Sequence, residues 1–416
     1  MNIDIDLMIE QAEAELLPYF SNIDKTAFNI QKKVMNAFKK HKVSEMHFNP
    51  STGYGYNDIG RETLDRVIAD IFESKSAFVR ANIVSGTHAI TIGLFGLLRP
   101  NDTMLSVTGR PYDTLTGTIG LKSDANDIGS LMDFGIKYKQ IEMCNNKENP
   151  FDISSISGEI KNDKSIKVVF VQKSKGYQER LTISSEQIGE VVRAVKAINP
   201  DIYVVVDNCY GEFVEEHEPT YYGADMIIGS LIKNPGGGIA ECGGYIAGTE
   251  KAVELASYRL TSPLVGTEVG ATLGTTKSIY KGLFYAPHTV AQSLKTASLA
   301  AYIYEKLGYE VEPRYMDKRF DIIQTIKFND ADKLIAFVRG IQAGSAVDSH
   351  VIPEPSDMPG YDSKIIMASG SFTQGSSIEI SADAPIKPPY IAFMQGGLTY
   401  ESGKLCIMNT LKGRLL

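Results

Sequence analysis

The sequence predicts an α/β protein with a mainly parallel sheet, closed by a smaller α+β C-terminal domain. Two observations carry this. Short β-branched runs alternate with amphipathic segments from residue 77 onward, and past residue 285 the texture changes to one long helical stretch followed by scattered strand-like pieces. Strands separated by helices pair in parallel, because a helical crossover lets each strand start again in the same direction.

The elements follow in order. In the first 45 residues, Ile9, Ala12, Ala14, Leu16 and Leu17, then Ile30, Val34, Ala37 and Phe38, recur at three-to-four spacing among charges, which reads as helix. A loop rich in glycine and aromatic residues follows from His47 to Asp65 (HFNPSTGYGYNDIGRETLD), and such loops lie on surfaces or interfaces. Ala77–Ala81 reads as a strand, Ala89–Leu98 as a helix ending before Pro100, and Thr103–Val107 as a second strand. Ile166–Gln172 (IKVVFVQ) and Ile202–Val206 (IYVVV) are continuous β-branched runs, as expected of strands buried on both faces. Between them Ser184 or Ser185 caps a helix that runs to about Ile198. Met226–Gly229 and Tyr245–Ala247 add two short strands.

Beyond these, a helix over Val290–Leu307 precedes strands near Thr325–Phe328, Ile365–Ala368 and Ser377–Ile380. Val351–Tyr361 holds Pro353, Pro355 and Pro359 and reads as a loop, as does the segment marked by Pro385, Pro388 and Pro389. The expected organisation is an N-terminal helical segment (1–45), a large α/β domain (46–285) and a small α+β domain (286–416).

Composition narrows the function. At 416 residues the chain is long enough to bury a core without disulfide or metal staples. Its hydrophobic share of 43% and charged share of 22% are those of a soluble globular enzyme. The net charge of −8 argues against nucleic acid or an anionic membrane surface as the main partner. The longest near-apolar stretch, Ala89–Leu98, is about half of what a bilayer needs, and the acidic start MNIDIDLMIE lacks a signal pattern. Four separated cysteines with no CxxC pair fit reduced thiols and a cytoplasmic location. No HExxH, GxxxxGK[ST], GxSxG or complete GxGxxG occurs, and six scattered histidines give no metal site local support.

Four pieces carry chemistry. Ser85-Gly86-Thr87-His88 lies between a strand and a helix, where free backbone N–H groups form an anion site or simply an ordinary capped turn. Arg110-Pro111-Tyr112-Asp113-Thr114 offers Tyr112 as a ring to stack on a flat ligand or to pack over its loop. Asp207 closes the strand IYVVV, at the edge where open α/β sheets hold ligands, and fits a helix cap or a partner for a buried heterocyclic nitrogen. Lys233 follows 26 residues later, trailed by Asn-Pro-Gly-Gly-Gly; it is either a lysine carried by a polar glycine loop or a partly desolvated amine that loses its proton readily and attacks a carbonyl. Ser230 adds a hydroxyl to the anion site. Together they supply what pyridoxal 5′-phosphate requires: an anion cradle, a ring face, a carboxylate for the pyridine nitrogen and an amine for the aldehyde.

With these residues in place, the chain resembles the fold-type I pyridoxal-phosphate enzymes, in the cysteine/methionine-metabolism branch of carbon–sulfur lyases. Within it the chain is similar to the bacterial aluminium-resistance or methionine gamma-lyase-like proteins, a cystathionine beta-lyase type of family. SGTHAI (Ser85–Ile90), RPYDTL (Arg110–Leu115), VVDNCYGEF (Val205–Phe213), GADMIIGSLIKNPGGGIA (Gly223–Ala240) and GGYIAG (Gly243–Gly248) carry the resemblance, from about residue 45 onward.

The resemblance implies a PLP-transferase-like large domain of the aspartate aminotransferase superfamily, with pyridoxal 5′-phosphate as cofactor. Ser85, Gly86, Thr87 and Ser230 would hold its phosphate, with His88 and Cys209 beside it; Tyr112 would stack on the ring, Asp207 would face the ring nitrogen, and Lys233 would bond to the aldehyde and act as base. Tyr112 or a neighbouring subunit's tyrosine would assist the leaving group. Cys209 stands where threonine is common in the branch, and Ile232 replaces a hydroxyl residue. The implied reaction is β- or γ-elimination from a sulfur amino acid of the cystathionine or methionine type, giving thiol, oxo acid and ammonia. An aminotransferase, decarboxylase or aldolase, or an idle cofactor-binding protein in metal tolerance, stays open. Arg319, ahead of Arg180 and Arg314, is the candidate to clamp the substrate carboxylate. Tyr56, with Tyr54 and Arg61, is the candidate to reach a neighbouring subunit's site in a homodimer or homotetramer.

Overall fold

The computed structural model describes residues 4–122, 127–358 and 363–412. In chain order the elements are α1 (Ile5–Lys40), α2 (Ile59–Ile71), β1 (Ser76–Arg80), α3 (Gly86–Leu97), β2 (Thr103–Ser106), α4 (Asp113–Ile119), β3 (Lys137–Gln140), α5 (Ile153–Asn162), β4 (Ile166–Gln172), α6 (Ser185–Ile198), β5 (Tyr203–Asp207), β6 (Met226–Ser230) and β7 (Gly244–Gly248). They continue with α7 (Glu250–Leu260), α8 (Thr276–Lys306), β8 (Glu310–Glu312), β9 (Gln324–Lys327), α9 (Ala331–Gly344), β10 (Ile365–Ser369), β11 (Ser381–Pro385), β12 (Ile391–Gln395) and α10 (Tyr400–Lys412).

The larger sheet has the order β1-β7-β6-β5-β4-β2-β3. Strands β6, β5, β4, β2 and β3 pair in parallel, while β7 runs antiparallel to both β6 and β1. This mostly parallel sheet with helical crossovers is the α/β class that the alternating runs predict. Val168–Val171 and Val204–Val206 are buried on both sheet faces, which is why those strands read as unbroken apolar runs. Helix α6 starts where its sequence says: Ser184 accepts from the Gln187 N–H, and the Gln187 side chain returns to the Ser184 backbone.

The N-terminal helix is where the sequence puts it, whereas around α8 the structure differs from expectation. The two N-terminal apolar patches belong to one helix that passes through Pro18 and buries Ile9, Ala12, Leu16, Phe20, Ile30 and Val34. Helix α8 begins at Thr276, not Val290, and runs unbroken through residues 285 and 286, where the sequence suggests a boundary. Pro287 hides this in the sequence; inside a helix it gives up a backbone donor without removing the apolar periodicity on either side.

The smaller sheet, β10-β11-β12-β9-β8, is antiparallel throughout. Its strands correct two expectations. Ser377–Ile380 is a buried turn, and the strand is the next segment, Ser381–Pro385, so Pro385 ends a strand and is not loop. In β11, Ala382 and Ala384 face the core while Ser381 and Asp383 face the other way. Of the proline-rich stretch 351–361, residues 359–361 lie outside the described residues; 351–358 carry no helix.

Candidate active site

The carboxyl ends of β4, β5 and β6 open onto a cavity of about 290 Å³. Ser85, Gly86, Thr87, Tyr112, Asp207, Cys209, Ser230 and Lys233 all line it, so four segments far apart in the sequence meet at one place.

The anion end is built by α3. Ser85 caps the helix, its Oγ accepting from the His88 N–H at 3.0 Å, which leaves the other first-turn N–H groups pointing outward. A Cβ on Gly86 would stand 3.2 Å from the Cys209 sulfur and 3.9 Å from the Lys233 nitrogen, so glycine keeps the cradle open. Thr87 Oγ1 lies 2.9 Å from the Tyr112 hydroxyl and 3.1 Å from Thr114 Oγ1. Tyr112 is fixed from behind, its backbone N–H donating to Gln172 Oε1 at 3.0 Å. Burial, with the Asp207 charge nearby, raises the Tyr112 phenol well above its ordinary value, so it stays protonated.

Asp207 ends β5 in register with Gln172 and Ile228, and its Oδ1 accepts from the Cys209 N–H at 3.1 Å. Burial pushes this carboxyl up, and Lys233 pulls it back down. Cys209 is buried and its thiol is raised by burial and by Asp207, so it is a packed thiol and no nucleophile. Lys233 is held by the turn that follows it. A Cβ on Gly236 would collide with the Leu231 carbonyl, and Gly237 takes a left-handed φ of +56°. The Lys233 Nζ stands 4.1 Å from the centre of the Tyr210 ring. Burial alone would strip its proton, as the sequence suggests, but the Asp207 carboxylate beside it opposes burial and keeps the amine above the ordinary lysine value.

Several expected residues lie elsewhere. His88 does not line the cavity; its ring Nδ1 accepts from the Val84 N–H at 3.2 Å and steadies the loop before the helix. Arg319, 6% exposed, donates to Gln324 Oε1 at 2.6 Å and to Ser298 Oγ at 3.2 Å, away from the cavity. Arg180 donates to the Gln172, Ser174 and Leu181 carbonyls, and Arg314 pairs with Glu305. Among the described residues no arginine lines the cavity. Arg61 is spent on the carbonyls of Gly55, Gly270 and Glu268, pinning the aromatic loop, while Tyr54 and Tyr56 stand 73% and 65% exposed on it.

Other lining residues were not singled out in the sequence. Gln172 closes β4; Ser174, Tyr177 and Tyr210 come from the loops after β4 and β5, Ile323 lies just ahead of β9, and Asp383 and Gln395 come from the smaller sheet. Asp383 accepts from Gln395 Nε2 at 3.1 Å and from the Tyr177 hydroxyl; burial pushes its carboxyl up to about 6. The alternation Ser381-Ala382-Asp383-Ala384 signals this strand, but its apolar face is alanine and the neighbouring Ile378 and Ile380 look more strand-like.

The donor set fits pyridoxal 5′-phosphate: a glycine-opened cradle at a helix start, a buried ring face, a strand-end carboxylate and one lysine sharing a single cavity. Fold and site together define a protein of the pyridoxal-phosphate-dependent class. A likeness to the pyridoxal-5′-phosphate dependent protein YhfS of Escherichia coli, at 15% identity and a TM-score of 0.62 over 94% of this chain and 97% of that one, shows the fold alone.

Within that class the chain belongs to the methionine gamma-lyase family, whose pattern it matches over residues 5–415. It is 50% identical to a carbon-sulfur lyase involved in aluminum resistance from Clostridium novyi NT, with a TM-score of 0.93 over 98% of this chain and 95% of that one. It is 49% identical to a Clostridium acetobutylicum protein, provisionally described as a cystathionine beta-lyase involved in aluminum resistance, with a TM-score of 0.95 over 99% and 96% of the two chains. Among the described residues no helix is long and apolar enough to cross a membrane, and no group of three or more His, Cys, Asp or Glu is arranged to hold a metal ion.

Proposed function

We propose that this protein is a pyridoxal-phosphate-dependent carbon–sulfur lyase that cleaves a sulfur amino acid and water into a thiol, an oxo acid and ammonia. The observation that carries the reading is the convergence of Lys233, Asp207 and the Gly86 cradle on one cavity. The names of two relatives about half identical to this chain support the carbon–sulfur bond as the target. When bound, the cofactor supplies an electron sink that weakens the bonds at the substrate's α-carbon.

The chain's residues do the rest. Gly86, Thr87 and Ser230 would hold the phosphate. Asp207 would face the ring nitrogen and favour its protonated form. Lys233 would hold the aldehyde end, and its amine is placed to move the proton at the substrate's α-carbon. Tyr112, held protonated by burial, stands ready to donate to the departing sulfur.

We also propose that the protein works as a homodimer or a dimer of dimers. Tyr54, Tyr56, Leu264 and Leu273 are exposed on two segments joined by the Gly270 N–H to Tyr54 carbonyl bond at 2.9 Å, and Val84 is exposed beside the cradle. This apolar surface suits a neighbouring copy.

The test is direct. Purified protein should be yellow, bleach with hydroxylamine, and release thiol, oxo acid and ammonia from a panel of sulfur amino acids. Lys233→Ala should lose both the visible band and turnover. A variant that keeps the band would refute the lysine, and a yellow wild type that turns over no sulfur amino acid would refute the lyase. Sedimentation of the wild type should show no monomer at micromolar concentration.

A further inference from the structure

Three formally charged side chains line the cavity among the described residues: Asp207, Lys233 and Asp383. In the proposed lyase, on which the role assigned to Asp383 depends, the first two are committed to the cofactor. Asp383 is left over. It projects from β11, a strand flanked on both sides by β10 and β12, so it is rigidly placed; Met367 and Phe393 are its register partners. Its hydrogen-bond donors, the Gln395 amide and the Tyr177 hydroxyl, are both neutral. Among the described residues no lysine, arginine or histidine nitrogen lies within 4 Å of it, and Lys233, the nearest cation in the cavity, acts on it only from a distance.

A largely buried carboxylate without a cation is unfavourable, and the stable remedy is a partner that brings one. The same wall offers no arginine, so nothing from this chain favours an anionic group there. We infer that Asp383 receives a cationic group at the far end of the substrate, so that the lyase selects thioether amino acids carrying a second, distal ammonium over those ending in an alkyl group. Gln395 and Tyr177 then act as positioning residues that orient the carboxylate. Tyr177 packs its ring against Phe393 at a centroid distance of 5.3 Å, which fixes its hydroxyl.

Two measurements on the holoenzyme test this. The first does not require carbon–sulfur cleavage: L-lysine is L-norleucine with an ammonium added at the chain end, and neither has a sulfur to lose. Calorimetric titration should show lysine binding wild type at least tenfold more tightly than norleucine, and Asp383→Asn should abolish that preference while Asp383→Glu restores part of it. The second compares cystathionine with an S-alkyl cysteine of similar length; the ratio of their kcat/KM values should fall at least tenfold in Asp383→Asn, through KM more than kcat. A wild type that binds norleucine as tightly as lysine, or an Asp383→Asn enzyme that keeps either preference, overturns the inference. Loss of thiol release with the lysine preference intact would overturn the lyase reading and leave Asp383 as the receptor. Cofactor absorbance and thermal unfolding confirm that each variant folds and loads.

Discussion

The Ser377 hydroxyl donates to the Tyr210 hydroxyl at 3.2 Å, so the ring that lies against the Lys233 ammonium is anchored from the turn preceding β11. Tyr210 also sits at a left-handed φ of +72°, a conformation that turns its ring back over the cavity. The active-site lysine thus leans on a residue whose position depends on both sheets.

Two substitutions separate the roles of Tyr210. Tyr210→Phe deletes only the bond to Ser377 and should lower kcat/KM about twofold to fivefold, the scale of one net hydrogen bond. Tyr210→Leu also removes the ring that packs against the Lys233 side chain, and should lower kcat/KM by about a further tenfold, the scale of one lost buried ring contact. Both keep a Cβ at the same backbone angle, so backbone strain cancels in the comparison. Steady-state kinetics on the two proteins decide it, and equal rates for Phe and Leu would show that the ring is filler.

Asp207→Asn tests the charge at the strand end with little change of shape. The amide cannot hold a proton on the ring nitrogen, so turnover should fall at least about a hundredfold, roughly 3 kcal/mol in the barrier. Cofactor content, read from absorbance against protein concentration, should fall far less. An Asn enzyme with near-native turnover would move the ring-nitrogen partner elsewhere.

The parts of this site that stand out in the sequence are those that regular structure places. Asp207 and Ser85 sit at element ends, where β-branched runs and a cap mark them, and the turn after Lys233 declares itself through Pro235 and three glycines whose freedom the packing uses. The residues that do not stand out are those that only tertiary packing brings in. Asp383 and Gln395 face the cavity because β11 and β12 pair with Ser381 opposite Gln395, and no local pattern fixes that register. Arg319 misleads because its apolar context, RFDIIQ, suits a buried site; it is buried, but against Ser298 and Gln324. A buried arginine needs acceptors wherever they are, and neutral ones suffice.

Glu212 lies beneath the Lys233 turn, its Oε1 accepting from the Tyr245 hydroxyl at 2.8 Å while its Oε2 has no partner. Burial pushes this carboxyl up to about 8. A carboxyl raised on folding stabilises fully below its unfolded value, and that contribution is lost as pH rises through the folded one. Its share of stability should therefore decline between about pH 4.5 and 8, by up to roughly 1.4 kcal/mol per pH unit for one proton. Glu212→Gln, neutral at every pH, should flatten the decline in urea-unfolding stability across that window. A Gln variant with the wild-type slope would assign the proton to another group.

Lys175 presents the reverse case. It is 1% exposed, and its Nζ makes one long hydrogen bond, 3.4 Å to the Glu312 carbonyl. Burial pushes the amine down from 10.5 to about 8. A depressed amine contributes its full stability only above its unfolded value, and that contribution is lost as pH falls through the folded value. At pH 7 the fold therefore carries a buried ammonium at a disadvantage of roughly 3 kcal/mol. Methionine matches the length of the lysine stem and has no charge to desolvate. Lys175→Met should raise unfolding stability at pH 7 by up to roughly 3 kcal/mol, with the gain shrinking toward zero as pH approaches 10.5. Chemical denaturation at the two pH values measures both ends of that curve. If the methionine protein is less stable than wild type at pH 7, the ammonium is making a favourable contact that outweighs its burial, and the loop carrying Lys175 owes its position to that charge.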